Sequence, residues 1–349
     1  MDAKVNKQYH NYINGQWLPP SSGRYYFNCN PADSSDVIGA FPLSEAEDAV
    51  RAVESCHEAF RTWGKLRGSE RAAYIKRFIE LLERRREEIA GAIVREVGKT
   101  LKDAQTEPAR GIVESHYSMG EIDHTEGITM PSDRANVTSA ANRVPMGVVS
   151  AINPWNFPFM TPIRKIIPAL AAGNTVVFKP ASDTPLSAVL LMDLFEEAGL
   201  PSGVVNMVIG GGRAIGDVLS GHPMVQGVTF TGSTTVVERI SMMAAKNFTK
   251  LQLEMGGKNP AIVAGCDNIE VAACEIADNA MQLAGQRCTA ISRVIVLEDQ
   301  ANGKLSPGAI FISKLHKFII RQTFRADSFH LMTVSHTGIA YFYFCSFTV

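Results

Sequence analysis

The chain has 349 residues, of which 46% are hydrophobic, a formal net charge of −1 and six cysteines. This length suits two domains rather than one small core, and the charge balance gives no indication of a nucleic-acid partner or of an anionic membrane surface. The cysteines have no paired spacing and no charged-then-apolar leader precedes the first motif, so we expect a reducing, cytoplasmic compartment and no metal site.

The chain begins with a predicted strand pair and a helix. Tyr12 to Trp17 is typical of two short strands joined by a turn at Asn14-Gly15. Ser44 and Glu47 have the spacing of a capping box, and apolar residues recur at helical spacing from Ala46 to Trp63.

A second helix is predicted from Ser69 to Val97. Its charged run, Glu83 to Glu88, is expected to form a solvated face. Its buried face is expected to carry Tyr74, Ile75, Phe78, Leu81, Leu82, Ile89 and Ile93.

From Val148 onward, short apolar runs alternate with helical stretches, which favours parallel strands with crossover helices. The sequence therefore predicts an α/β fold with a doubly wound parallel sheet. Residues 127–145, which precede this region, are polar and β-prone and predict a loop or hairpin. Strands are expected at Val148-Val149, Val176 to Phe178, Val204 to Ile209 and Val228 to Phe230.

Residues 300–349 differ in composition from the rest of the chain. They hold seven of the seventeen phenylalanines and one acidic residue, Asp327, without helical or alternating periodicity. This change predicts a misread, frameshifted or alternative terminus. The apolar finish, Ile339 to Val349, is shorter than the roughly 20 residues that span a bilayer, so no membrane anchor is expected.

Two glycine-rich runs carry a cysteine and a glutamate. Cys288 lies in the run from Gly285 to Thr289, and Glu254 lies in the run from Leu253 to Lys258. A thiolate can attack a carbonyl carbon, and a carboxylate can activate water. A cysteine or a glutamate on its own is more often structural than catalytic.

Three further runs complete a pattern that resembles the NAD(P)-dependent aldehyde dehydrogenase superfamily. They are Asn153 to Phe159, Phe178 to Ser182 and Phe230 to Thr234. With the cysteine and glutamate runs they make five motifs in the family's order, and the resemblance extends from Tyr12 to Glu298.

The resemblance implies a Rossmann-like cofactor-binding domain at residues 1–126 and 146–256, interrupted by an oligomerisation arm at 127–145. It implies the start of a second α/β catalytic domain at 257–299. The family continues with a Glu-x-Phe-Gly-Pro segment and a final strand that joins a neighbouring subunit, and residues 300–349 match neither. We therefore predict a C-terminally truncated member with a non-family tail.

The same resemblance assigns the chemistry. It implies that Cys288 attacks an aldehyde and that the side-chain amide of Asn156 and the Cys288 N–H stabilise the thiohemiacetal oxyanion. Glu254 would then activate the water that cleaves the thioester, with a pKa raised by partial burial. A turn is the alternative role for Asn156, and a hydrogen-bonded carboxylate at a strand end is the alternative for Glu254. Cys266 and Cys274 are expected to be inert in apolar surroundings.

A site for NADP or NAD is also implied by the resemblance. Ser233, after Gly232, can cap a helix whose N-terminus faces the pyrophosphate. Lys179 can reach the adenosine ribose, and Trp155 and Gly256 are expected near the cofactor, although Gly256 can also serve only a tight turn.

Cofactor choice is expected to depend on Ser182. Members that strongly prefer NAD carry a glutamate at this position, three residues after the lysine, whereas serine does not repel a 2′-phosphate. NADP should therefore be accepted at least as well as NAD. Arg213, in the glycine turn from Gly210, is a further phosphate-binding candidate or a surface arginine without a partner.

The substrate is less clearly indicated. Arg164 follows the Asn156 run at a position where succinate-semialdehyde dehydrogenases also carry an arginine, which favours a carboxylate-bearing aldehyde. Gln282 stands where some of those enzymes have a second arginine, and the run from Gln286 to Ala290 resembles non-phosphorylating glyceraldehyde-3-phosphate dehydrogenases. The substrate thus stays open among small aldehydes.

Two functions remain after these arguments. The first is oxidation of an aldehyde to a carboxylic acid with NAD(P), without nucleic-acid or membrane partners. The second is a catalytically inactive family member that at most binds nucleotide or a full-length subunit. The family forms homo-oligomers, which the changed tail puts in question for this chain.

Overall fold

The computed structural model of the chain describes residues 7–264 and 267–296, together with the backbone of residues 331–332 and 342–345. It divides into two compact units, residues 1–254 and 255–349. The boundary lies two residues from the one predicted after residue 256, and the roles of the units as cofactor and catalytic domains stay a prediction. No helix within the described residues is long and apolar enough to cross a membrane.

The first unit begins with two antiparallel strand pairs. β1 (Asn11–Ile13) pairs with β2 (Gln16–Leu18), and β3 (Tyr25–Asn30) pairs with β4 (Asp33–Pro42). Asn14 and Gly15 join β1 to β2 with φ values of 53° and 74°. Positive φ at both positions is what a two-residue type I′ turn requires, and the predicted hairpin is confirmed.

Three long helices follow, α1 (Ala46–Trp63), α2 (Gly68–Val97) and α3 (Leu101–Gly120), and then a short 3₁₀ helix (Glu121–His124). Both predicted helices are confirmed. The predicted buried face of α2 also packs into the core, with Tyr74 and Leu81 only partly buried, and the run from Glu83 to Glu88 is mostly exposed.

The predicted capping box of α1 is wrong in its residues. Glu45 is the N-cap, and its N–H donates to the Asp48 carboxylate at 3.1 Å. Ser44 Oγ instead accepts a hydrogen bond from Asn11 Nδ2 at 2.8 Å. A partner 33 positions away in the sequence thus engages the hydroxyl that local spacing had assigned to the helix.

A seven-stranded sheet organises this unit, in the order β11-β10-β7-β8-β9-β1-β2. The pairs β10–β7, β7–β8 and β8–β9 are parallel, so the four predicted strands are confirmed as parallel neighbours. The strands are β7 (Val148–Ile152), β8 (Thr175–Lys179), β9 (Val205–Met207), β10 (Val225–Gly232) and β11 (Lys250–Met255). The connecting helices are α4 (Met160–Ala171), α5 (Pro185–Glu197), α6 (Gly212–Gly221) and α7 (Thr234–Ala245).

Helices cover both faces of the sheet because successive side chains of a strand point to opposite sides. Val176 and Phe178 of β8 pack into a core shared with α2, α4 and α5. Val177, between them, packs into a second core with residues of α1, α6 and α7. This arrangement confirms the doubly wound α/β fold.

Residues 127–145 contain an antiparallel pair, β5 (Ile128–Met130) and β6 (Ser139–Ala141), with largely exposed side chains. The predicted hairpin is confirmed, whereas its role as an oligomerisation arm stays a prediction.

The second unit contains β12 (Asn259–Val263), α8 (Ile269–Met281), a 3₁₀ helix (Gln282–Gly285) and β13 (Ile291–Val296). β12 and β13 are parallel, so they form a β-α-β unit with α8, as a second α/β domain requires. Two short strands of the tail, β14 (Leu331–Met332) and β15 (Phe342–Cys345), complete a sheet of order β12-β13-β15-β14. The other predictions for the tail lie outside the described residues.

Candidate active site

The topology of the first sheet defines one edge where a ligand can bind. The chain passes from β7 through α4 to β8 on one side, and after β9 it returns to β10 on the other side of β7. In open α/β sheets, ligands bind outside the carboxyl ends of the strands at such a switch point. Ile152, the last residue of β7, is in register with Phe230 of β10 and Lys179 of β8.

The loop after β7 carries two of the predicted site residues. Asn153 N–H donates to the Lys179 carbonyl at 3.1 Å, which ties the start of the loop to the end of β8. The side-chain amide of Asn153 is buried and makes no hydrogen bond to the described part of the chain. Trp155 is 36% exposed and Asn156 is half-buried, two and three residues beyond this anchor.

Lys179 and Ser182 lie beyond the carboxyl end of β8. Lys179 Nζ donates to the Pro180 carbonyl at 2.9 Å, and burial lowers the pKa of Lys179 to about 8, with the Asp183 charge acting against it. Ser182 Oγ donates to the Gly210 carbonyl at 3.3 Å, while its own carbonyl accepts from the Tyr26 hydroxyl at 2.7 Å. The hydroxyl proton of Ser182 is therefore already engaged, and a phosphate would have to compete for it.

The carboxyl end of β10 leads directly into α7. A Cβ atom at Gly232 would lie 2.5 Å from Phe230 Cζ, so a larger residue would displace that ring. Ser233 is the N-cap residue of α7 with an extended backbone, as predicted, but its side chain makes no cap hydrogen bond. The N-terminus of a helix favours an anion. Arg213 is exposed in the first turn of α6.

Glu254 lies on β11 next to the end of the strand, at the end of a chain of polar contacts. Its Oε1 accepts from Gln252 Nε2 at 3.3 Å, and Gln252 Oε1 accepts from Lys165 Nζ at 3.5 Å and from the Thr229 hydroxyl. Lys165 Nζ also donates to Thr229 Oγ1 at 2.9 Å. Glu254 is exposed, so the expected partial burial is wrong.

Lys165 and Gln252 are site residues that the sequence analysis missed. Burial lowers the pKa of Lys165 to about 8, against the opposing effect of the Glu254 charge. One feature of the sequence could have identified Lys165. It is a lysine among the apolar residues of α4, and that position places its ammonium group inside the fold. Its partners on β10 and β11 lie 64 and 87 positions away.

Arg164 has a protein partner. Its Nε and Nη2 donate to the two carboxylate oxygens of Glu114 at 3.0 and 2.6 Å, and Arg110 Nε donates to the same carboxylate at 2.9 Å. Burial opposes ionisation of Glu114, but the two guanidinium groups hold its pKa below the usual value. The role of Arg164 in substrate binding stays a prediction.

In the second unit, Cys288 is exposed in the turn that leads into β13. Asn259 Nδ2 donates to the carbonyl oxygens of Cys288 and Ala290 at 2.7 and 2.9 Å, so an amide at the start of β12 fixes this turn. Leu283 and Ala284 precede the turn with φ values of 51° and 53°, a conformation that is unfavourable for residues with a side chain. The sequence analysis missed Asn259.

The remaining predicted positions of this unit are less constrained. A Cβ atom at Gly256 would meet no atom within 4 Å in the described residues, so packing does not require glycine there and cofactor contact stays a prediction. Gln282 accepts a hydrogen bond from Arg287 Nη1. Cys274 is half-buried on α8, and Cys266 lies outside the described residues. The described residues contain no group of three or more His, Cys, Asp or Glu side chains that could hold a metal ion.

Comparison with known proteins identifies the class. Residues 17–306 match the aldehyde dehydrogenase family. The chain is 46% identical over 288 residues to an α-ketoglutaric semialdehyde dehydrogenase of Bacillus subtilis (strain 168), and this match covers 82% of the chain and 59% of that enzyme. The chain therefore belongs to the aldehyde dehydrogenase family, and it spans about three fifths of that relative's length.

Two solved structures show the same fold. An NADP-dependent enzyme of E. coli matches with a TM-score of 0.84 and 32% identity, over 91% of this chain and 65% of that one. A double mutant of betaine aldehyde dehydrogenase from Staphylococcus aureus, in complex with NAD+, matches with a TM-score of 0.85 and 30% identity, over 90% of this chain and 63% of that one.

Proposed function

We propose that the chain binds NADP or NAD at the switch point of its first sheet and oxidises an aldehyde to a carboxylic acid. The observation that carries this proposal is the placement of the Asn156 loop, Lys179 and the Gly232-Ser233 turn at the carboxyl ends of three neighbouring parallel strands. We assign cofactor binding to residues 1–126 and 146–256, and the nucleophile to residues 257–299.

The residues at this edge fit a dinucleotide. The N-terminus of α7, where the Ser233 side chain makes no cap hydrogen bond, suits the pyrophosphate. We assign Lys179, at the carboxyl end of β8, to the adenosine ribose, and the buried amide of Asn153 offers donors and an acceptor that the described residues do not use. When bound, the cofactor supplies the hydride acceptor.

The chain's own residues supply the other steps. The thiolate of Cys288 attacks the aldehyde carbon to form a thiohemiacetal, and the side-chain amide of Asn156 stabilises its oxyanion. Loss of hydride leaves a thioester on Cys288. Glu254 then takes a proton from the water that attacks this thioester, the Cys288 thiolate leaves and the carboxylic acid is released, while Gln252, which donates to Glu254 Oε1 and accepts from Lys165 Nζ, orients the carboxylate.

For the substrate we propose a semialdehyde, an aldehyde that carries a carboxylate. The name of the Bacillus subtilis relative supports this class. Arg164 already binds one carboxylate through two parallel hydrogen bonds, that of Glu114, and a guanidinium is the side chain whose geometry best matches a carboxylate.

We also propose that residues 127–145 pair with another copy of the chain. Ile128 and Met130 of β5 are 65% and 46% exposed, an apolar surface that an adjacent subunit could cover. Size-exclusion chromatography with light scattering tests this: replacing both with serine should convert the oligomer to a monomer, and an unchanged mass would contradict the proposal.

The test of function uses the purified 349-residue chain. NAD(P)H production is followed by absorbance with α-ketoglutaric semialdehyde and with 4-oxopentanal, an aldehyde of equal length in which a methyl group replaces the carboxylate. We expect higher kcat/KM for the semialdehyde, loss of turnover in Cys288→Ser and retained turnover in Cys274→Ser. Turnover that survives Cys288→Ser would contradict the proposed nucleophile. Cofactor binding without NAD(P)H production would instead favour the second candidate function, a catalytically inactive nucleotide-binding chain.

A further inference from the structure

A buried ion pair lies behind the loop that carries Asn156. Lys99 Nζ and Glu107 Oε1 are 2.5 Å apart, and the two side chains are 1% and 0% exposed. Lys99 follows Gly98, the left-handed residue that ends α2, and Glu107 lies two turns into α3. Removing one partner of a buried ion pair is strongly unfavourable.

Both members of the pair contact the loop. Glu107 Oε2 accepts from the N–H groups of Phe159 and Met160 at 3.1 and 3.0 Å. Lys99 Nζ lies 3.9 Å from the centroid of the Phe157 ring. The first N–H groups of a helix need acceptors from outside the helix, and the N-cap residue of α4 is Phe159, whose side chain has none to offer. Glu107 therefore caps α4 from a different helix.

This contact fixes the second end of the loop. Its first end is held where the Asn153 N–H donates to the Lys179 carbonyl at 3.1 Å. Asn156 lies between these two anchors, next to the Phe157 ring over which the Lys99 ammonium sits. The backbone of Asn156 thus belongs to a short segment that is held at both ends.

We infer that the Lys99–Glu107 pair is a positioning device for Asn156, which holds its side-chain amide where the oxyanion forms. The inference rests on the proposed function, because it takes the oxyanion role of Asn156 from there. Displacement by about 1 Å can cost roughly a hundredfold in rate, so a rigid anchor at this loop has a large effect on catalysis. The pair acts through the loop, by the hydrogen bonds of Glu107 to the Phe159 and Met160 N–H groups and by the contact of Lys99 with the Phe157 ring, so its role is positioning.

The chain offers a matched control in Glu96. This carboxylate is also buried, and it accepts from the N–H groups of Leu186 and Ser187 at 2.8 and 2.9 Å, at the N-terminus of α5. Glu96 therefore caps the N-terminus of α5 as Glu107 caps that of α4. Only Glu107 contacts the Asn156 loop, so the two positions separate an effect on this loop from a general loss of stability.

Three variants test the contact at Glu107. Glu107→Leu removes both acceptor oxygens. Glu107→Gln keeps one acceptor oxygen and replaces the other with an NH₂ group. This NH₂ group faces either the Lys99 ammonium or the N–H groups of α4, so two hydrogen-bond donors meet without an acceptor. In the double variant Lys99→Gln/Glu107→Gln, the amide of Gln at 107 can donate to Gln at 99 and still accept from α4. The uncharged double variant should therefore restore the contact.

Hydrogen exchange followed by mass spectrometry reads the loop directly, in peptides covering residues 155–161 and residues 184–190. We expect exchange in the first peptide to accelerate roughly tenfold or more in Glu107→Leu and less in Glu107→Gln, since each hydrogen bond to a charged group is worth about a tenfold factor. The double variant should return to within about twofold of the wild-type rate. Glu96→Gln should accelerate only the second peptide.

Unchanged exchange of the first peptide in Glu107→Leu would overturn the inference, as would equal acceleration of both peptides in Glu107→Leu and Glu96→Gln. Steady-state kinetics then tests the catalytic consequence. Glu107→Gln should lower kcat with little change in KM, the double variant should recover kcat, and Asn156→Ala should cancel the effect of Glu107→Gln. If the chain has no turnover, the proposed function fails while the exchange results still decide whether the pair holds the loop.

Discussion

Replacement of Lys165 with methionine should remove part of the pH dependence of stability. Burial lowers the pKa of Lys165 from 10.5 to about 8 in the folded chain, opposed by Glu254 and reinforced by Arg164. Between these two values the unfolded chain binds more protons than the folded one, so stability rises as the pH rises. The difference corresponds to about 3 kcal/mol in total, of which about 2 kcal/mol falls between pH 7 and 9.5.

Urea unfolding followed by circular dichroism at several pH values measures this rise. The free energy of unfolding of Lys165→Met should rise by about 2 kcal/mol less than that of the wild type over that pH interval. Lys179→Met is the matched control, because burial also lowers the pKa of Lys179 to about 8 while its opposing charge is Asp183. Lys179→Met should reduce the rise of stability with pH by a similar amount.

A second substitution identifies the interaction with Glu254. The Glu254 charge raises the pKa of Lys165, so Glu254→Gln should lower that pKa further and steepen the rise in stability. Glu254→Gln should steepen the rise of stability with pH in the Lys179→Met background. In the Lys165→Met background it should leave the pH dependence unchanged. An equal effect in both backgrounds, or a Lys165→Met curve parallel to the wild type, would refute the coupling.

Three further predictions concern the cofactor and the nucleophile. Ser182→Glu should weaken NADP binding more than NAD binding, by about 1–3 kcal/mol, because the carboxylate repels a 2′-phosphate; equal losses in calorimetric titrations would contradict this. Mild alkylation with peptide mapping should label exposed Cys288 before Cys56, since burial raises the pKa of the Cys56 thiol, and the reverse order would remove Cys288 from its assigned role. Asn259→Ala should accelerate hydrogen exchange in residues 286–291 and lower kcat/KM, whereas Asn279→Ala on α8 should change neither; an unaltered turn would show that Asn259 does not hold it.

Much of the fold could be predicted because its signals are local. The Asn14-Gly15 pair supports the positive φ values of a tight turn, and the structure has them. The runs Val148-Val149 and Val176 to Phe178 are apolar without alternation, as strands covered on both faces must be. Both cases depend on neighbours within a few positions.

The errors and omissions involve partners that lie far away in the sequence. Ser44 has the right chemistry for a helix cap, yet its hydroxyl accepts from Asn11, 33 positions earlier. The Asn259 side chain reaches Cys288 from 29 positions away. Spacing rules rank residues by their neighbours along the chain, so they gave no reason to select Asn259 or to doubt Ser44.

The missed role of Glu107 shows that a non-local contact can still leave a local trace. A charged residue in a helix is ordinarily expected on the solvated face. Glu107, however, shares the buried face of α3 with Ala104, Gly111 and Ser115, at the spacing of successive helical turns. Meanwhile α4 begins after Phe159, a residue that cannot accept a hydrogen bond through its side chain. A helix without a local cap, such as α4, has unsatisfied N–H donors, and a carboxylate on a buried face, such as that of Glu107, needs donors. Each observation alone leaves its partner unknown. Taken together, they predict that Glu107 contacts the start of α4.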